Sequence, residues 1–355
     1  MVILHIARVS DDPYNGVCNV VPMHIISQQA HMEVALLNIT PNRIENIKTQ
    51  FTCEKKLSDL SEPFNKPDLV VFHEIYYPVY LSYSRELRKR NIPYIIIPHG
   101  GLTKDAQNIK KLKKQIANPL LFNRFIYGAK AVQCLSQLEM DVTKKHNTKF
   151  VATNGIAVPE TKKDSFNNEK IQFVYIGRIA VYIKGLDILL EAIYHIKEHL
   201  EEKKCVFSIY GPASENEYCK LVEMIEKYEL KGIVKLCDAV SGEEKKKALL
   251  DADIFIQTSR SEGMPMGILE AQSYGVPCLV TKGTTLGGFI KEYDSGWVSE
   301  TDSEAVAGSI KKAISDRVCW ENKALNSRRM IEAEFSWDKV SIETIKHYKE
   351  ILHNF

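Results

Sequence analysis

Residues 254–281 read IFIQTSRSEGMPMGILEAQSYGVPCLVT. A short apolar run, Ile254–Gln257, opens the stretch and a second, Cys278–Thr281, closes it. Between them a polar loop passes through Pro265 into a helical pattern over Met266–Tyr274. The two apolar runs do not alternate with polar residues, as expected of strands buried on both faces. Strands joined through a helix lie parallel, so the stretch predicts part of a parallel sheet wrapped by helices.

The same alternation extends in both directions. Ahead of this stretch the strand candidates are Val2–Ala7, Val34–Ile39, Leu69–His73, Tyr94–Pro98, Ala131–Ser136, Phe150–Ala152, Phe173–Ile176, Val206–Tyr210 and Val234–Cys237. Helical patterns fall between them, among them Asn19–Gln29, Val79–Arg90, Thr103–Ile116, Gln137–Lys145, Gly185–Leu200 and Glu215–Tyr228. The pattern breaks at residues 157–170, AVPETKKDSFNNEK, a polar segment with Pro159 that reads as a linker. A chain of 355 residues suits two domains. Two doubly wound α/β domains are therefore expected, over 1–158 and 159–335. A helix over 336–355 follows. Its stripe Trp337, Val340, Thr344, Tyr348 and Ile351 needs a surface to cover, and the N-terminal domain is a candidate.

Composition narrows the class. Apolar residues are 45% and charged residues 26% of the chain, which excludes disordered, collagenous and coiled-coil proteins. No apolar stretch reaches the ~18–20 residues that span a bilayer. The run Val2–Ala7 lacks a basic leader and reads as a core strand. Eight cysteines without a C-x-x-C pair point to reduced thiols in a cytoplasmic protein. Residues 1–160 carry 20 Lys and Arg against 14 Asp and Glu, and residues 161–355 carry 27 against 31. A basic first half and an acidic second half suggest different partners.

Chemistry is concentrated in the loop and helix after Ile254–Gln257. Pro265 suits a first helical turn, leaving the amides of Met266, Gly267 and Ile268 without intrahelical partners. Such a helix end favours phosphate. Glu262 lies just before it and Glu270 one turn inside, so their carboxylates can accept from hydroxyls on either side of a diphosphate. An ordinary acid-rich helix start is the plainer alternative.

Glu262 and Glu270, in the setting SEGMPMGILEAQSYGVPCL, resemble the paired glutamates of the retaining glycosyltransferases of family 4. The similarity continues in FVYIGRIAVYIKGLDILLEA through Gly177, Arg178, Lys184 and Gly185. It extends to Ser136–Glu139, to Asn154-Gly155-Ile156 and to Phe335-Ser336-Trp337, and covers most of 130–350. The resemblance implies the GT-B fold, two Rossmann-like domains facing each other across a cleft. It implies Glu262 on the donor sugar, Glu270 on the ribose, and Arg178 and Lys184 on the diphosphate. Fixed cations there would stabilise the leaving group without a metal.

Other positions follow from the same resemblance. His99, in IIPHGGL, would stand near the transferred sugar, and Gly16 in the glycine loop after the first strand, where Asn15 replaces a further glycine. Val240 would offer a backbone contact to the base. Asp251-Ala-Asp253 spells D-x-D but precedes a buried strand, so a structural role is expected and no metal. No G-x-G-x-x-G follows Val2–Ala7 and no P-loop is present, so neither a nicotinamide nor a P-loop nucleotide reading is supported.

The expected function is a retaining glycosyltransferase of hexosyltransferase type, moving a sugar from a nucleotide diphosphate donor to an acceptor hydroxyl in glycan or surface polysaccharide assembly. It would use no cofactor and no nucleic acid. A sugar-nucleotide epimerase of the same fold and a non-catalytic nucleotide-sugar-binding protein are the alternatives. The apolar stripe Leu102, Ala106, Ile109, Leu112 and Ile116 is flanked by Lys104, Lys110, Lys111, Lys113 and Lys114. That pattern suggests an interfacial helix over Leu102–Ile116 and peripheral contact with the inner membrane face, where a lipid-linked acceptor would be found.

Overall fold

A computed structural model describes every residue except 11, 13, 14, 104, 105, 108–110, 144, 145, 147, 168, 354 and 355. It contains two parallel sheets. The first runs in the order β3-β2-β1-β4-β5-β6-β7. Its strands are β1 Val2–Ala7, β2 Glu33–Asn38, β3 Gln50–Thr52, β4 Leu69–His73, β5 Tyr94–Ile97, β6 Ala131–Cys134 and β7 Lys149–Val151. The second runs in the order β10-β9-β8-β11-β12-β13. Here the strands are β8 Ile171–Ile176, β9 Cys205–Tyr210, β10 Val234–Cys237, β11 Ile254–Gln257, β12 Cys278–Thr281 and β13 Gly296–Ser299. The central strands of both sheets are almost continuously buried, which is why they appear as apolar runs.

The chain divides into two compact units, residues Met1–Gly155 with Trp337–Phe355, and Ile156–Ser336. The terminal helix Trp337–His353 packs within the first unit. Trp337, Val340, Thr344 and Tyr348 of its stripe are buried. The Trp337 ring stands edge-on to His24 at 4.9 Å. In the first core, Phe72 meets Tyr94 and Phe125 edge to face at 5.4 and 5.0 Å. Such aromatic pairs add ~0.5–1.5 kcal/mol beyond their burial.

The segment 157–170 is not a free linker. Phe166 is buried in the second core against Trp320, with ring centres 5.8 Å apart. Lys163 donates to the Leu250 carbonyl at 3.0 Å and lies 3.6 Å from the buried Asp253. Burial, partly offset by Asp253, lowers the Lys163 ammonium below its ordinary range. Isolated anchors of this kind leave no periodicity in the sequence. Asp253 also accepts from the Gln172 amide at 2.9 Å, so the D-x-D carboxylate ties strand ends together. All eight cysteines are free thiols.

Candidate active site

The second sheet reverses its strand order between β8 and β11, which pair directly. In open parallel sheets ligands bind beyond the carboxyl ends of the strands at such a point. The segments leaving these two strands carry Arg178, Lys184 and Glu262.

Side chains bind the two segments together. Arg260 forks onto Asp187, Nη1 to Oδ1 at 2.7 Å and Nη2 to Oδ2 at 2.8 Å. It also donates to the Tyr182 carbonyl at 2.6 Å, and its guanidinium lies 4.1 Å from the Tyr182 ring centre. The Thr258 hydroxyl donates to the Gly185 carbonyl at 2.7 Å. Gly185 has φ 62°, and a Cβ there would lie 1.9 Å from the Thr258 carbonyl oxygen. Glycine is therefore required by both backbone angle and space.

Glu262 is held at one oxygen. Its Oε1 accepts from Lys184 Nζ at 2.5 Å, Gln257 Nε2 at 2.8 Å and Ser259 Oγ at 2.8 Å. Its amide donates to the Gly283 carbonyl at 3.0 Å. Side-chain exposure is 18% for Lys184 and 11% for Glu262, so the pair is substantially desolvated. Lys184 is thus committed in part to Glu262, and its remaining N–H groups are what it can offer a phosphate. Arg178 is exposed, and its guanidinium has no ion-pair partner among the described residues. Its carbonyl accepts from the buried Tyr175 hydroxyl at 2.9 Å. Burial and the Glu262 charge push that phenol well up.

The helix Met266–Ser273 begins at the expected residue. Pro265 is its N-cap, with φ −80° and ψ 88°, rather than its first helical residue. Its carbonyl takes the Ile268 amide at 3.1 Å, so Ile268 does not offer the free N–H expected of it. Among the described residues the Gly267 amide has no backbone acceptor. Gly267 lies against the two strands, for a Cβ there would stand 3.0 Å from the Ile176 carbonyl oxygen and 3.1 Å from the Phe255 ring.

Glu270 forms an ion pair through Oε2 with Lys245, on the helix Gly242–Asp251. That oxygen is buried without a hydrogen bond of normal angle, so the contact is a charge pairing. A cavity of about 220 Å³ opens beside it, lined by Glu270, Lys245, Lys246, Gly242 and Tyr274 among others. Val240 is half-buried two residues before Gly242.

Gly16 and His99 belong to the first unit. Gly16 opens the helix Gly16–Gln28, capped by Asn15, whose Oδ1 accepts from the Val17 amide at 3.0 Å. A Cβ on Gly16 would meet nothing within 4 Å among the described residues, so none of them demands glycine there. His99 follows β5 with φ 48°. The Gly100 amide donates to the buried Glu139 carboxylate at 2.7 Å. Burial, reinforced by His24, pushes the His99 imidazole down to about 3.

The structure therefore pairs Lys184 with Glu262, places Arg178 on the segment that carries Lys184, and sets Glu270 one helical turn beyond the Gly267 amide. Lys245, Gln257, Ser259, Asp187 and Arg260 escaped the sequence reading. Lys245 lies in the run EEKKK, which looks like a solvated helix face, and Arg260 and Asp187 are 73 positions apart.

Residues 159–334 match the model of the glycosyl transferases group 1 family. An uncharacterized glycosyltransferase of Methanocaldococcus jannaschii, MJ1607, is 24% identical over 247 residues, 68% of this chain and 58% of that protein. The putative colanic acid biosynthesis glycosyltransferase WcaL of Escherichia coli is 30% identical over 131 residues, 35% of this chain and 31% of that protein. The chain thus spans less than two thirds of the length of either relative. Among solved structures, Anabaena Alr3699/HepE in complex with UDP superimposes with a TM-score of 0.73 at 16% identity, covering 99% of this chain and 100% of that one. The fold class is GT-B, with two Rossmann-like units and a C-terminal helix. Among the described residues, no helix is long and apolar enough to cross a membrane.

Proposed function

We propose that this chain, whose residues 159–334 match the model of the group 1 glycosyl transferases, moves a hexosyl group from a nucleoside diphosphate donor to an acceptor hydroxyl, with retention at the anomeric carbon. The observation that carries this reading is the Lys184–Glu262 pair at the β8/β11 reversal, on the same segments as the exposed guanidinium of Arg178. The UDP bound by the Anabaena neighbour supports a nucleotide donor.

The donor diphosphate rests against Arg178, Lys184 and the Gly267 amide. The bond between the anomeric carbon and the phosphate oxygen breaks with its electron pair on that oxygen. Fixed cations lower the energy of the charge that develops there. The acceptor hydroxyl attacks from the same face, and its proton passes to the departing phosphate oxygen. Glu262 binds the sugar through hydroxyl donors to Oε2 and does not attack carbon, since three donors already draw on its carboxylate. Glu270 accepts from the ribose hydroxyls and Val240 contacts the base through its backbone, while His99, in the first unit, accepts from a carbohydrate hydroxyl. No metal takes part, so nucleoside diphosphate release proceeds at the same rate in EDTA. Loss of turnover on chelation, restored by magnesium or manganese, overturns the cation assignment.

The acceptor is lipid-linked on this reading. Leu112, Ile116 and Leu120 are 78%, 64% and 74% exposed on the helix Lys111–Ala117 and the turn after it. The expected stripe is divided, however, because Leu102 is buried in the first core. Lys104, Ile109 and Lys110 lie outside the described residues. Lys114 folds inward, donating to the Ala106 carbonyl at 2.6 Å. The apolar residues are therefore the better variants. Wild type sediments with anionic vesicles at low salt and is released as salt rises, since each basic residue near the surface contributes ~1 kcal/mol and is screened. Leu112→Glu with Ile116→Glu abolishes sedimentation. Failure of wild type to bind at low salt points to a soluble acceptor.

A further inference from the structure

Three buried histidines, His5, His24 and His73, and the half-buried His99 cluster in the first unit, and three of the four form a chain. His5 on β1, His73 at the end of β4 and His99 just after β5 step across three adjacent strands toward the carboxyl edge of the sheet. His5 Nδ1 lies 2.8 Å from His73 Nε2, and His73 Nδ1 lies 3.0 Å from His99 Nε2. His5 Nε2 lies 3.0 Å from Gln28 Oε1. Burial holds His5 and His99 down to about 3 and His73 well below the ordinary imidazole range. All three are neutral near pH 7, each with one N–H and one lone pair.

Proton counting then couples them. Each nitrogen–nitrogen contact needs one donor and one acceptor, so the tautomer of His5 fixes that of His73, which fixes that of His99. The direction is set from the far end. The Gln133 amide donates to the Ala152 carbonyl at 3.1 Å, and a carbonyl can only accept. Gln133 Oε1 therefore accepts from the Tyr348 hydroxyl at 2.9 Å. With its proton so placed, the Tyr348 oxygen offers a lone pair to the Gln28 amide beside it. This is the loose link, since Gln28 Nε2 makes no hydrogen bond of good geometry. Charge matching still turns the NH₂ toward Tyr348 and Oε1 toward His5. His5 must then carry its proton on Nε2, His73 on Nε2 and His99 on Nε2.

We propose that Gln28, His5 and His73 are positioning residues that hold His99 as its Nε2–H tautomer. The remaining nitrogen, Nδ1, has no partner among the described residues and presents a lone pair. It accepts from a hydroxyl or ammonium of a bound substrate and repels a group that offers only lone pairs. A carbohydrate hydroxyl is the substrate group on the transferase reading above. Buried Glu139 fixes the same corner through the Gly100 amide, so ring and backbone are anchored independently.

The tautomer measurement needs neither donor nor acceptor, so it can fail while the transferase reading stands. Long-range proton–nitrogen correlation spectra of protein labelled with ¹⁵N-histidine report each tautomer at neutral pH. His99 should be protonated at Nε2 and bare at Nδ1. An Nδ1–H tautomer, or a doubly protonated His99, overturns the proposal. His73→Asn keeps an acceptor near the Nδ1 position, whereas His73→Leu does not. The Leu variant should show mixed His99 tautomers and about tenfold lower kcat, with the Asn variant restoring both. Equal loss in both variants with the His99 tautomer unchanged would mean that His73 merely packs, and also overturns it.

Discussion

Lys184→Met lowers the rate of nucleoside diphosphate release by about two to three orders of magnitude, the usual cost of removing one fixed group that meets developing charge. The loss has two sources. The leaving diphosphate forfeits a cation, and Glu262 is left as a partly buried carboxylate without its counter-charge. The double variant Lys184→Met with Glu262→Gln separates them. Removing the carboxylate relieves the second cost, so the double variant is more stable to heat than Lys184→Met while remaining slow. The two residues touch, so their effects do not add. Single-turnover release measured beside thermal melting gives both quantities. A folded Lys184→Met protein with wild-type release would remove Lys184 from the chemistry.

Glu270→Ala weakens the binding of free nucleoside diphosphate by roughly 10- to 150-fold, corresponding to ~1.5–3 kcal/mol for a hydrogen bond to a charged group. Glu262→Ala leaves that affinity nearly intact and acts on sugar transfer. The contrast follows from position. Glu262 is at the junction of the two segments, whereas Glu270 is a turn into the helix, facing Lys245 and the cavity beside it. Substituting Glu270 also leaves Lys245 unpaired, which adds an attraction for the diphosphate. The measured loss is therefore expected toward the lower end for donors bound mainly through phosphate. Calorimetry of the folded variants decides it, and unchanged affinity in Glu270→Ala ends the ribose assignment.

Strands with apolar runs on both faces were readable residue by residue. Val2–Ala7, Leu69–His73, Ile254–Gln257 and Cys278–Thr281 stand where the sequence places them. Of the four edge strands, Val234–Cys237 was read to the residue and Lys149–Val151 to within one residue, but the other two were passed over. Gln50–Thr52 is three half-buried residues, and Gly296–Ser299 starts with glycine and ends with serine, so neither has an apolar run. Edge strands cover less core and need less apolar sequence. The helix Ser303–Ser315, capped by Asp302, was passed over with its neighbouring strand. Among the candidate site residues, Glu262 and Glu270 stood out by their spacing about a helix start, and Arg178 and Lys184 through the family resemblance. Their partners did not, because Lys184 meets Glu262 across 78 positions. His5 and His73 hid inside apolar strand runs, where an isolated histidine looks like an ordinary core residue. Their chain is visible once β1, β4 and β5 lie side by side.

The central claim is that the segments beyond β8 and β11 hold a nucleoside diphosphate sugar and cleave its anomeric bond. The most direct measurement incubates the protein with a panel of nucleoside diphosphate sugars, without acceptor, and follows each by phosphorus and proton NMR. Slow release of nucleoside diphosphate from one donor, lost in Lys184→Met, is the predicted result. An isomerised donor with the diphosphate still attached would identify an epimerase, and thermal stabilisation by a donor that remains intact would identify a binding protein, either of which contradicts the account.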